Sequence, residues 1–339
     1  MPSLDTTPDI SVIVPAFNEE SVIGQCLASL QAQALAVKRF EVLVVDNGSA
    51  DRTAAIARSF ADFLPITVLE RKGVRISALR NLGAANARGA YLAFLDADCV
   101  APRNWLGEAL DTISTSDARI VGAQYRIPAG SSRVAVAWYG DSWRTKTGTV
   151  SYVPGGNLIV KRKLFVNLGG FDESIITSED CEFCDRAARA GVVIVAVPSL
   201  SVVHLGTPQT LLGFYRKQSW HGINVHRIFL RDILHSKSRK AVFFALYMLM
   251  GLIMTVAGAC TAAIVNGAVG VGVVIPAIWL LLGPILLAAR GCAERKNWSH
   301  LMSLTVLFAA YGLARAMCLL GLGGRREPRA LRCTAIPRY

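Results

Sequence analysis

The sequence predicts an α/β domain with a mainly parallel sheet, followed by hydrophobic helices. Three observations predict it. Short apolar, β-branched runs alternate with helix-spaced segments through the first hundred or so residues, and this βαβαβαβ order belongs to a parallel sheet covered by helices. Polar clusters fall where the apolar runs end, at Asn18–Glu20, Asp46–Asp51, Lys72–Arg75 and Asp96–Asp98, and ligands of such sheets bind at the carboxyl ends of the strands. Residues 241–322, in contrast, are almost free of charge.

The elements follow in order. Ile10–Pro15 reads as a buried strand and Glu19–Ala34 as the helix after it; Glu41–Val45 and Thr53–Phe60 are the second such pair. Ile66–Leu69 and Ala78–Ala87 form the third pair, and Tyr91–Leu95 is the fourth strand. Gly83, Ala84 and Ala87 are small enough to let the third helix lie close on the sheet. Farther on, Arg119–Gln124, Leu158–Val160 and Val192–Val197 read as strands, and Glu179–Ala190 as a helix ended by Gly191. The α/β domain is expected to span 1–215, with a basic juxtamembrane segment over 216–240, apolar helices over 241–322 and a basic tail over 323–339.

The chain has 339 residues, of which 53% are hydrophobic, and a formal net charge of +12. The mean hydropathy of +0.40 is high for a wholly soluble protein, and the excess lies in the C-terminal third. A basic balance calls for an anionic partner. The apolar C-terminus makes that partner a membrane surface, and no dense Lys/Arg stripe or known module points to nucleic acid. The first residues, MPSLDTTPDI, lack a basic start and a long apolar core, so the α/β domain is expected to stay in the cytoplasm, on an inner (plasma) membrane. The Cys181–Cys184 CxxC has no second pair and reads as one turn of a packed helix.

Segments 241–265 and 268–289 are long enough to cross a bilayer. Segment 301–322 is a third candidate, but contains Arg315. Arg216, Lys217, Arg227, Arg231, Lys237, Arg239 and Lys240 precede the first span and mark the cytoplasmic side. Length favours three crossings. That count would put Arg325, Arg326, Arg329, Arg332 and Arg338 outside, against the positive-inside rule; a third helix lying in the interface would keep them inside.

Asp96-Ala97-Asp98 closes an apolar strand. Residues i and i+2 of an extended segment share a side, and two neighbouring carboxylates repel unless a cation joins them. A hard divalent ion held with diphosphate oxygens is the natural one; an acidic strand-to-loop turn is the plainer reading. Asp46 to Asp51 reads as a turn and helix cap, and Asn18 as an N-cap. Glu179-Asp180 has two readings also: acidic residues in the first turn of a helix capped by Thr177 or Ser178, or a general base.

The segments VIVPAFNEE, VVDNGSADRT, ALRNLGAANARGAYLAFLDADC, PGGNLIVKRKLFVNLGGFDES and TSEDCEFCDRAARAG, in this order over residues 9–205, resemble the family 2 glycosyltransferases of GT-A fold. The resemblance implies a nucleotide-sugar donor, a Mg²⁺ or Mn²⁺ cofactor and inversion at the anomeric carbon. It places Pro15, Ala16, Asn18, Glu19 and Asp46 around the base and ribose, with Arg75 or Arg80 at the base or diphosphate. It places Asp96 near the ribose, Asp98 as the main metal ligand, His204 as a further ligand or a structural histidine, and Gly155, Gly156 and Asn157 beside the sugar. Asp180 is then the base, with Glu179 supporting the acceptor. Processive synthases carry QxxRW near residue 218; here Gln218 is not followed by that Arg-Trp, which argues against a polymerase. The membrane helices suggest a lipid-linked or glycan acceptor in cell-surface glycan biosynthesis. Two rivals remain. A nucleotidyltransferase would need a phosphate-cradling loop that VPAFNEE does not offer. A catalytically silent membrane scaffold would not need Asp96, Asp98, Glu179 and Asp180 together.

Overall fold

The computed structural model describes residues 7–115, 119–140, 147–223, 239–264 and 269–323. The described residues form two compact units, one holding those up to Ala129 and 147–207, the other 130–140 and those from Pro208 onward.

In the first unit, the βα alternation is realised as β1 (Ile10–Ala16), α1 (Ile23–Gln31), β2 (Phe40–Asp46), α2 (Thr53–Arg58), β3 (Ile66–Glu70), α3 (Ile76–Asn86) and β4 (Tyr91–Leu95). β5 (Cys99–Val100), α4 (Trp105–Thr115) and β6 (Ile120–Gly122) follow, and α5 (Arg133–Tyr139) belongs to the second unit. The first unit resumes with β7 (Gly148–Thr149), β8 (Asn157–Lys161), α6 (Arg162–Asn167), α7 (Glu179–Arg189), β9 (Ile194–Ala196) and β10 (Val203–His204). The sheet order is β3-β2-β1-β4-β8-β6-β9-β7. β3, β2, β1 and β4 are parallel, as the alternation predicts. Their residues are buried on both faces through β1 and β2, which is why these strands read as unbroken apolar runs.

Two departures from the parallel pattern position the site. β8 lies antiparallel to β4, with Leu95 opposite Asn157, so the residues entering β8 meet those leaving β4. β10 pairs with β5 outside the main sheet, His204 opposite Cys99. Neither pairing is visible as periodicity: a strand's own alternation does not name a partner some sixty residues away, and the two-residue strands β5 and β10 have no alternation.

α3 packs on the sheet as its small residues predict: a Cβ on Gly83 would fall 2.5 Å from Ile13 Cγ2. The first helix is shorter than expected. Asn18 has φ 56°, and its Oδ1 accepts from Ala50 N at 2.9 Å rather than capping α1.

The second unit contains α5, α8 (Leu211–Gly222), α9 (Arg239–Ile264), α10 (Val269–Arg295) and α11 (Leu301–Leu319). The last three are long and apolar enough to cross a membrane. Trp138 of α5 packs edge-on against Phe214 of α8 and Phe308 of α11. The polar cluster from Arg216 to His221, expected as a juxtamembrane segment, is thus part of helix α8. Arg227, Arg231, Lys237 and the basic tail lie outside the described residues.

Candidate active site

Three loops at the carboxyl ends of β1, β2 and β3 are joined by backbone-to-side-chain bonds. Asn18 N donates to Ser49 Oγ at 2.9 Å and Glu19 N to Thr53 Oγ1 at 2.7 Å. Asn47 reaches the third loop, donating to Val74 O at 3.0 Å and accepting from Val74 N at 3.1 Å. Asp46 closes the central turn: its Oδ2 accepts from Gly48 N at 3.0 Å and Ser49 N at 2.8 Å. The expected turn is therefore built. Pro15 and Ala16 form its floor, with Asn47 N donating to Ala16 O at 2.9 Å. Arg75 is exposed at the start of α3 and donates to Glu173 O at 2.8 Å.

Asp96, Asp98 and His204 converge, with one ligand atom of each lying within 4.8 Å of the others. Sequence separates His204 from the aspartates by more than a hundred residues; the β5–β10 pairing closes that gap. Leu205 N donates to Asp98 O at 2.8 Å. Two glycines keep the carboxylates clear. A Cβ on Gly206 would fall 2.1 Å from Asp98 Oδ2, and one on Gly156 2.0 Å from Asp96 Oδ2. Two hard carboxylates and an imidazole with space preserved around them fit a divalent cation such as Mn²⁺ or Mg²⁺. Gly156→Ala is expected to displace Asp96 and lower kcat/KM about 100-fold, as an ångström-scale misplacement does; initial rates against donor concentration check it.

Arg80, buried in α3, bridges two carboxylates. Its Nη2 meets Asp96 Oδ1 at 2.6 Å and its Nη1 meets Glu179 Oε1. The resemblance gave Arg75 or Arg80 to the base or diphosphate; the Arg80 guanidinium is engaged with these two carboxylates inside the protein. Burial pushes the Arg80 pKa down, but Asp96 and Glu179 together outweigh this and raise it. Burial also acts against the Asp96 carboxylate, but Arg80, His204 and Tyr125 outweigh it and hold its pKa below the ordinary value.

Burial pushes Glu179 up to about 7; Arg80 opposes this and Asp180 adds to it. The folded protein therefore holds this proton more tightly than the unfolded chain, whose value is near 4.5. Stability from this group is greatest below about 4.5 and is lost as pH rises toward about 7. Glu179→Gln is expected to remove that slope, and thermal denaturation at pH 5, 6 and 7 checks it.

Asp180 is half-buried beside Glu179. Its Oδ2 accepts from Gly155 N at 2.8 Å and from the Tyr152 hydroxyl at 2.9 Å. The helix behind it begins unusually. Ser178 sits at the N-cap with φ 71° and makes no side-chain cap bond, so the capping reading of Ser178 is not realised. A left-handed non-glycine residue at this point is a strained backbone, of the kind that collects at functional sites.

Asn157 is fully buried. It accepts from Trp105 Nε1 at 3.0 Å and donates to Ala123 O at 3.0 Å and Leu200 O at 2.8 Å, so its amide is committed to the fold. Tyr125 and Tyr152 are the site residues that sequence reasoning missed. They sit in no recognisable motif, and only the folded loops bring them in. Cys184 is buried on α7, its Sγ donating to Val153 O at 3.8 Å, and neither CxxC thiol is in a disulfide among the described residues.

Known proteins resemble this chain in sequence and in fold. The profile described as Glycosyl transferase family 2 covers residues 11–169, and that described as Glycosyl transferase family group 2 covers 91–312. Glycosyltransferase AglE of Haloferax volcanii is 30% identical over 256 residues, covering 73% of this chain and 82% of that protein. The probable glycosyltransferase YdaM of Bacillus subtilis is 25% identical over 259 residues, covering 71% of this chain and 61% of its own length. Among solved structures, the mannosyltransferase PcManGT from Pyrobaculum calidifontis, in complex with GDP-Man and Mn²⁺, aligns with a TM-score of 0.62 at 20% identity, covering 95% of this chain and 90% of that one. Residues 1–349 of S. aureus TarS with UDP align with a TM-score of 0.53 at 18% identity, each chain 92% covered. At these identities the two structures show the shared fold.

Proposed function

The chain belongs to the family 2 glycosyltransferases of GT-A fold and uses a nucleotide-sugar donor, and from that premise we propose an inverting, metal-assisted transfer to a lipid-linked acceptor in cell-surface glycan biosynthesis. The observation that carries this reading is the meeting of two carboxylate sets at Gly155-Gly156: Asp96 and Asp98 with His204 on one side, Asp180 on the other.

Asp98, Asp96 and His204 would hold Mg²⁺ or Mn²⁺, which when bound offsets charge on the leaving nucleoside diphosphate. The loops of Asn18, Glu19 and Asp46, with Arg75 at their edge, receive the nucleoside, and the bare backbone of Gly155 and Gly156 admits the sugar. Asp180 takes the proton from the acceptor hydroxyl as its oxygen attacks the anomeric carbon. The new C–O bond forms as the bond to the diphosphate breaks on the opposite face, so the configuration inverts. Glu179 is buried against Arg80 and shapes this wall, whereas Asp180 is accessible to the acceptor. Positioning and electrostatics supply most of the rate.

Three helices long and apolar enough for a bilayer support a polyprenyl-phosphate type of acceptor. The basic residues before α9 support an inner (plasma) membrane location with the catalytic domain cytoplasmic. The test uses the purified full-length protein in detergent. A nucleoside diphosphate at about 100 times its Kd should stabilise it by about 2.7 kcal/mol, with Mn²⁺ present and not with chelator. Asp98→Asn should abolish the shift. A shift indifferent to metal and to Asp98 would refute the metal assignment; a retained anomeric configuration in the product would refute inversion. Equal transfer to water-soluble sugars by a protein freed of lipid would refute the lipid-linked acceptor.

A further inference from the structure

Two consecutive backbone amides and two tyrosine hydroxyls hold the two halves of the site. Gly155 N donates to Asp180 Oδ2 at 2.8 Å, and Tyr152 Oη donates to the same oxygen at 2.9 Å. Gly156 N donates to Tyr125 Oη at 3.1 Å, and that hydroxyl donates in turn to Asp96 Oδ2 at 3.1 Å. The Tyr125 ring also stands edge-on to His204, centroids 4.7 Å apart. Tyr125 therefore touches two of the three converging ligand side chains and the glycine between them. Tyr152 packs against the core and bonds the carboxylate on the other side.

We propose that these are positioning residues with separate tasks: Tyr125 fixes Asp96 and His204 for the donor's diphosphate and its cation, and Tyr152 fixes Asp180 for the acceptor. Each hydroxyl donates to a carboxylate oxygen, Tyr125 to Asp96 and Tyr152 to Asp180. Oriented partners behind metal ligands are commonly worth 10–100-fold in affinity. Tyr125→Phe keeps the ring against His204 and removes only the hydroxyl.

This inference rests on the assigned roles of Asp98 and Asp180, so the experiment includes both controls. Initial rates of the full-length enzyme are measured against donor, Mn²⁺ and acceptor. Tyr125→Phe should raise the donor KM and the half-saturating Mn²⁺ concentration about 10-fold or more, with kcat within about threefold. Tyr152→Phe should lower kcat about 10-fold and leave the Mn²⁺ dependence unchanged. Melting temperatures near that of the unaltered enzyme exclude a folding defect. If both variants shift the same constant, or neither shifts any, the division of tasks is overturned. If Asp98→Asn or Asp180→Asn retains full turnover, it is the functional reading that has failed.

Discussion

Asp180→Asn is expected to lower kcat by about 10²–10⁴-fold, the usual worth of a positioned general base, with the nucleoside diphosphate affinity unchanged. The asparagine keeps the shape and one oxygen, so Gly155 N and the Tyr152 hydroxyl retain a partner where Asp180 Oδ2 stood. Only the capacity to take a proton disappears. In the proposed function, donor binding depends on Asp96, Asp98 and the three loops, none of which bonds to Asp180 among the described contacts. Glu179→Gln should act differently. That side chain is 7% exposed and paired with Arg80, so its loss should appear first in stability. Measuring kcat, donor affinity and melting temperature for both variants separates the roles. If Glu179→Gln lost the greater kcat at equal stability, the base would have to be reassigned to Glu179.

The parallel half of the sheet was legible because four strands of five to seven residues carry unbroken apolar runs, and each polar cluster marks a strand end. The Asp96–Asp98 and Glu179–Asp180 pairs were legible as motifs. What joins them was not. The antiparallel β4–β8 pairing sets Gly156 on Asp96, and no periodicity of the chain encodes a neighbour sixty residues away. Tyr125 lies just beyond a strand of three residues and Tyr152 in a loop, so neither belongs to a pattern. The resemblance gave Arg75 or Arg80 to the base or diphosphate, and a basic helix face is ordinarily solvated. The register of Arg80 on α3 turns it inward, on the same buried face as Ser77 and Ala84. Asn157 looked like part of a glycine-rich sugar loop, but it begins β8, and a fully buried amide must find partners within the fold.

Arg80→Met should be the most damaging substitution outside the reacting groups, costing about 3–5 kcal/mol, as breaking one side of a buried ion pair does. Methionine fills much of the same volume, so packing is largely kept and the charge effect dominates. Without the guanidinium, Glu179 and Asp96 face each other across a low-dielectric gap, and Glu179, already raised to about 7 by burial, should bind its proton more tightly still. Asp96 loses the cation 2.6 Å away that aligns it, so donor binding should weaken alongside stability. Arg80→Lys keeps the charge but not the planar fork that reaches two carboxylates at once, and it should recover only part of the loss. The decisive comparison adds Glu179→Gln to Arg80→Met. If the ion pair is the source of the damage, the double variant should be more stable than the sum of the single losses implies, since neighbours in one network are not additive. Simple additivity in the denaturation midpoints would show that Arg80 acts through packing against Phe171, 5.7 Å below its guanidinium, and not through the carboxylates it joins.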